Sequence, residues 1–225
     1  MEKKNINHRL GQILVCAVVL FVLIGCFYTP YDPNEMNAGL VNAGPSLTHP
    51  FGTDQFGRDV LSRVMKGAGT TFFVGLCTVA IGAAAGILLG ALTGYYGGLF
   101  DEILMRVNDG LASFPSILLA LVIVSISGPG TYQLILALGV LFIPSFARVV
   151  RSEYILQKQM DYVKNAKLMG GSDARILFVH ILPNTGTILR SALTIGFNNA
   201  VLAEAGMSYL SLGVQPPDAS LGRML

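Results

Sequence analysis

Three stretches of this chain carry no charged side chain and are long enough to cross a lipid bilayer: Leu10 to Tyr28, Gly67 to Phe100 and Gly110 to Ala147. A hydrocarbon core about 30 Å thick requires about 20 apolar residues in a helix, and it leaves no water to satisfy an open backbone. These runs predict an all-α polytopic membrane protein rather than a soluble domain. Composition agrees, with 52% hydrophobic and 12% charged residues and a mean hydropathy of +0.60. A formal net charge of +2 is too small to point to a nucleic-acid partner, so the placement of the charges matters more than their sum.

Residues 1–9 form a tail with Lys3, Lys4 and Arg9, and residues 10–28 read as a first transmembrane helix. Leu23-Ile24-Gly25-Cys26 also has the pattern of a lipoprotein cleavage box, which would suit a cleaved leader, but further spans follow it. Residues 29–66 form a loop whose early part is broken by Pro30, Pro33, Pro45 and Pro50 and whose later part, from Asp59, turns helical behind an acidic N-terminus. In the next span Gly82, Gly86, Gly90 and Gly94 recur every fourth residue, a stripe that lets two helix backbones approach closely in lipid. That stripe serves either static packing or a moving, pore-lining face.

A short polar turn with Asp101, Glu102, Arg106 and Asp109 leads into the run from Gly110 to Ala147, which is too long for one span. Gly128-Pro129-Gly130 divides it, Pro115 opens the third span and Pro144 falls near the end of the fourth. A fifth span runs from about Ile188 to Leu210. Within it Asn198, Asn199 and Glu204 are costly in hydrocarbon, and they are assigned to a translocation path or to the bundle interior. Cys16, Cys26 and Cys77 sit in apolar runs without a C-x-x-C spacing, so neither a disulfide framework nor a metal site is expected.

Between the fourth and fifth spans lies a charged interruption. Leu156, Met160, Val163 and Ala166 recur at helical spacing with Lys158, Lys164 and Lys167 off the stripe, which predicts an amphipathic helix from about Leu156 to Gly170. Gly170 and Gly171 stop it, and Ser172 or Asp173 caps a second short helix that runs towards Pro183. With the N-terminus in the cytoplasm and the spans alternating, the inner side carries eleven Lys or Arg residues. The outer side carries four: Arg58, Arg63, Lys66 and Arg223. The glycine corner then lies in the cytoplasm.

These residues can be matched to a family. Lys164-Asn165-Ala166, Gly170 after three intervening residues, and His180-Ile181-Leu182-Pro183 after nine more resemble the cytoplasmic E-A-A-x3-G-x9-I-x-L-P loop of bacterial ABC importer permeases. The outer-loop stretch Phe51 to Asp59 and the stretch Glu204 to Pro217 are similar to signatures of the dipeptide, oligopeptide and nickel branch of that family. Lys164 replaces the motif's glutamate, Asn165 its first alanine and His180 its isoleucine. A contact made by a carboxylate elsewhere in the family is therefore reversed or absent here.

The resemblance implies a type I importer bundle. Five spans are present and a sixth is missing beyond Leu225, so residues 67–225 would be a C-terminally incomplete core with a coupling loop at 148–186. It implies pairing with a second permease subunit, two cytoplasmic ATPases seated on the corner, and an extracytoplasmic binding protein that delivers di- or oligopeptides in a bacterial inner membrane. Nickel or a metal chelate is the alternative cargo. Lys164, Asn165, Ala166, Gly170, Gly171, His180, Leu182 and Pro183 would make the ATPase contact. The chain lacks a G-x-x-x-x-G-K-[ST] phosphate loop, so ATP and Mg are expected on the partner ATPase and no cofactor on this chain. The rival class is an intramembrane enzyme, which would need a nucleophile and base or a metal pair; G-x-S-x-G and H-E-x-x-H are both absent.

Overall fold

A computed structural model describes residues 2–225, with side chains described at Ile6 and from His8 onward; those of Lys3 and Lys4, used in the charge count, lie outside the described residues. Among the described residues the fold is all-α: α1 (Glu2–Phe27), α2 (Val60–Tyr96), α3 (Gly98–Ala112), α4 (Ser116–Ser127), α5 (Thr131–Gln157), α6 (Asp161–Leu168), α7 (Asp173–Asn184) and α8 (Gly186–Tyr209). Three helices are long and apolar enough to cross a membrane, and five spans result if the bent pairs α3–α4 and α7–α8 each count as one.

The 37 residues of α2 make a rod roughly 55 Å long, well beyond a hydrocarbon core. The helical stretch expected from Asp59 and the second span are thus one continuous helix, which begins inside the loop assigned to residues 29–66. Asp59 is the N-cap, its Oδ2 accepting the Ser62 amide at 2.8 Å and the Ser62 hydroxyl at 2.7 Å.

Helices α2 and α5 form the axis of the bundle. A Cβ on Gly82 would lie 2.6 Å from Phe142 Cβ, one on Gly86 2.5 Å from Phe146 Cβ, one on Gly90 2.8 Å from Val150 Cβ, and one on Gly94 2.7 Å from Tyr154 Cβ. Four glycines on one helix thus meet four side chains of matching spacing on the other, a close-packed seam inside this chain. Contacts at one end gather Val74, Leu134, Leu138 and Met207; the middle gathers Val79, Ala83, Phe146 and Ala200; the other end, where α6 and α7 pack, gathers Ala91, Val150, Tyr154, Val163, Ile176 and Ile181. Helix α1 leans on α2 from the side and keeps most of its surface exposed.

Two expectations change here. The polar turn at 101–109 is the fifteen-residue helix α3, tied to α5 by Arg151, which donates to both Asp101 oxygens at 2.6 Å, and by Arg148, 2.8 Å from Asp109. The third span is not a simple rod: α4 has 12 residues, about 18 Å, and α3 meets it at 85°. Pro144 lies inside α5, which continues past the uncharged run to Gln157 and carries Arg148 and Arg151.

Outside the bundle, residues 28–59 fold around buried polar groups. His49 Nδ1 lies 2.9 Å from Asp59 Oδ1, the Tyr31 amide donates to Ser62 Oγ at 3.1 Å, and Thr53 Oγ1 donates to the Leu40 carbonyl. Asp54 Oδ1 accepts the amides of Phe56 and Arg58, while Oδ2 takes Arg58 Nε at 2.7 Å. Gly57 sits at φ +74°, its missing side chain leaving room for the Asn37 carbonyl. The loop is a built structure seated on the head of α2.

Candidate functional site

The end of the bundle where α2 closes and α5 stops carries a sharp corner between α6 and α7. Helix α6 begins at Asp161 behind Met160, whose extended ψ of 149° breaks the chain away from α5. Leu156 therefore belongs to α5 and Met160 lies outside both helices, so the expected apolar stripe crosses a break and is not one face of one helix. What remains of it points inward: Val163 is 1% exposed and packs with Ile176, Tyr154 and half-buried Ala166. The apolar stripe holds the corner to its own bundle.

Gly170 has φ +80°, which an L side chain adopts only at a cost. The Gly171 amide donates to the Ala166 carbonyl at 2.9 Å and the Gly170 amide to Lys167 at 3.0 Å, the paired bonds of a Schellman stop. Ser172 occupies the N-cap position of α7 without a side-chain cap bond, and Asp173 does not cap at all: its Oδ1 accepts the Tyr95 hydroxyl at 2.5 Å. Tyr154, fully buried on α5, donates to the Leu177 carbonyl at 3.0 Å. The corner is thereby bonded to the C-terminal ends of both axial helices.

Within α7 the register slips to a π turn over Ile176–Ile181, where Pro183 has no amide hydrogen to offer the preceding turn. His180 lies in that turn, half-buried, its carbonyl accepting Asn184 Nδ2 at 2.7 Å. Leu182 joins the inner core, Pro183 is exposed, and the chain then bends by 70° into α8.

The outward surface of the corner consists of residues that periodicity did not single out. Leu168 and Met169 are 85% and 88% exposed at the end of α6, beside exposed Lys164 and Asn165. Lys164 Nζ lies 3.0 Å from Asp161, Lys158 Nζ donates to the Tyr95 carbonyl at 3.4 Å, and Lys167 Nζ stands 4.8 Å from the Tyr95 ring centre. Tyr95 is the hub of these contacts; its place at a Tyr-Tyr-Gly-Gly helix end was the one available sequence signal.

The three polar residues of α8 separate. Asn199 lines an open cavity of about 480 Å³ between α4, α5 and α8, together with Ser116, Ser145, Phe142, Phe146 and Gly196. Asn198 is exposed but does not line it. Glu204 is fully buried: Ser208 Oγ donates to its Oε1 at 2.7 Å and accepts the Val214 amide at 3.2 Å, while Oε2 has no partner among the described residues. Glu204 is enclosed by the fold and braces the Gly213–Val214 turn.

Residues 86–225 match the family model described as the binding-protein-dependent transport system inner membrane component. The chain is 41% identical over 223 residues to the glutathione transport system permease protein of Escherichia coli, covering 97% of this chain and 74% of that protein. It is 35% identical over 229 residues to the dipeptide transport system permease protein of Haemophilus influenzae, covering 99% of this chain and 78% of the relative.

Proposed function

Since this chain belongs to the family of inner membrane components of binding-protein-dependent transport systems, a multi-pass permease and not an enzyme, we propose that it forms part of an ATP-driven import path for short peptides. The observation that carries the reading is the double anchoring of the α6–α7 corner, through Tyr95–Asp173 to α2 and through Tyr154–Leu177 to α5. A corner bonded to both axial helices passes a push at its tip to the bundle as a rigid body, which is what alternating access requires.

In this reading two cytoplasmic ATPases hold ATP and Mg and bear on the corner, with the N-terminus on the same side. A homologous second permease completes the path, and an extracytoplasmic binding protein presents the solute to the folded outer loop. The α4–α5–α8 cavity, apolar with Ser116, Ser145 and Asn199 as its polar groups, is this chain's share of the path. Such a lining suits a neutral peptide backbone, which needs hydrogen-bond partners without a fixed charge.

The test is uptake of labelled dipeptide, glutathione and nickel by cells carrying the full transport system with and without this chain. Chain-dependent peptide or glutathione uptake supports the reading. Chain-dependent nickel uptake alone, or no chain-dependent uptake, refutes the peptide assignment.

A further inference from the structure

Tyr95, Lys158, Gln159, Lys164 and Lys167 line an open cleft of about 620 Å³ where the C-terminal ends of α2 and α5 meet α6. Three ammonium groups converge there, and the nearby carboxylates are largely committed. Asp173 accepts the Tyr95 hydroxyl, Asp101 is held by both nitrogens of Arg151, and only Asp161, on the solvent side of Lys164, contacts a cleft lysine. Among the described residues neither Lys158 nor Lys167 has a carboxylate within ion-pair distance. Beyond the cleft, Leu168 and Met169 project as an apolar knob.

We propose that this cleft receives carboxylate side chains of the cytoplasmic ATPase partner, so that the coupling contact of this chain is basic on the permease side and acidic on the ATPase side. This rests on the reading of the corner as the ATPase contact and specifies its chemistry. Like-signed charges gathered in a concavity set the choice and rate of a partner more than raw affinity, while apolar side chains beside them supply the buried area. The concave shape and the adjoining knob fit a protein groove with an apolar floor and an acidic rim. A flat layer of anionic headgroups would be met by lysines spread over a plane.

The experiment uses the full chain in its assembled transporter and the purified ATPase subunits encoded alongside it. Association is measured in neutral detergent and in vesicles of phosphatidylcholine with and without phosphatidylglycerol. Replacing Lys158, Lys164 and Lys167 together by Glu should weaken association at low salt by about tenfold or more, and replacing them by Arg should preserve it. Wild-type association should fall as salt rises, and Asp/Glu→Lys changes scanned over the ATPase surface should include one that restores binding to the Glu variant. Unchanged, salt-independent association of the Glu variant would overturn the proposal while leaving the peptide-permease reading intact. A defect seen only with phosphatidylglycerol would also overturn it, assigning the lysines to lipid. A wild-type chain that holds no ATPase at any salt would remove the coupling reading itself.

Discussion

Tyr95 and Asp173, 78 positions apart, are joined by a hydrogen bond of 2.5 Å from the phenol to Asp173 Oδ1, and this bond closes the C-terminal end of α2 onto the first turn of α7. The same ring lies under the Lys167 ammonium, so one side chain touches both helices of the corner. Tyr95→Phe keeps the ring and removes only the hydroxyl. The expected loss of stability is about 1 kcal/mol, since a hydrogen bond to a charged but exposed acceptor contributes modestly. The larger effect should fall on coupling: ATP hydrolysed per solute moved should rise several-fold, measured in vesicles with the ATPases present. An unchanged ratio would show that the bond is structural only.

The glycine seam makes a different kind of demand. Gly86 faces Phe146 Cβ and the Ile143 carbonyl at distances that admit no Cβ, whereas a Cβ on Gly110 in α3 would meet nothing within 4 Å. Gly86→Val should force α2 and α5 apart and cost about 1–3 kcal/mol, the usual range for overpacking a tight interface. Gly110→Ala should be neutral or slightly stabilising, because alanine is the better helix former. Thermal unfolding of the two variants in the same detergent separates these outcomes, and equal melting temperatures would count against the seam.

What could be read from the residues alone divides along physical lines. Uncharged runs are a solvation signal carried by each segment separately, so the spans and the Gly128-Pro129-Gly130 turn were legible, as was the packing role open to the glycine stripe. Helix α3 was missed because Asp101, Glu102, Arg106 and Asp109 read as a polar turn, although Leu99, Ile103 and Val107 recur at helical spacing between them. The stripe Leu156–Met160–Val163–Ala166 misled because periodicity is blind to a break in the backbone at Met160. The face left for a partner is therefore the lysine cleft with Leu168 and Met169. Tyr95–Asp173 and Tyr154–Leu177 were out of reach, since each joins residues brought together only by the packed bundle.

Acid should loosen the loop at residues 28–59 before the bundle. Burial would raise the Asp59 carboxyl, but hydrogen bonds from the Ser62 hydroxyl, His49 and the Ser62 amide outweigh it and hold the group below its ordinary value of 3.8. Asp54 is lowered in the same way, burial being outweighed by the amides of Arg58 and Phe56 and by the Arg58 guanidinium. A carboxyl depressed in the folded state contributes stability that is present above its unfolded value and lost as pH falls through the folded one. Protease cleavage within residues 28–59 should thus accelerate as pH drops below about 4, the region of the unfolded carboxyl. Asp59→Asn should cut faster at neutral pH with a flatter acid dependence. A rate for Asp59→Asn that matches wild type at every pH would contradict the capping role.

Glu204 should act as a brace whose shape and hydrogen-bonding capacity matter more than its charge. Its Oε1 accepts the Ser208 hydroxyl, which in turn accepts the Val214 amide, and Gly213 packs so closely on Ser208 that a Cβ there would strike the hydroxyl. Glu204→Gln keeps an acceptor of the same length and should cost less than about 1 kcal/mol, because the network retains its members. Glu204→Ala empties a fully buried site and leaves Ser208 without its acceptor, so about 2–5 kcal/mol is expected from the cavity and the lost bond together. Ser208→Ala removes the link to Val214 while leaving the helix intact, and it should expose residues 210–217 to protease with a smaller fall in melting temperature. If Glu204→Gln proved as damaging as Glu204→Ala, the carboxylate itself would be required, and bracing of the turn would not account for its burial.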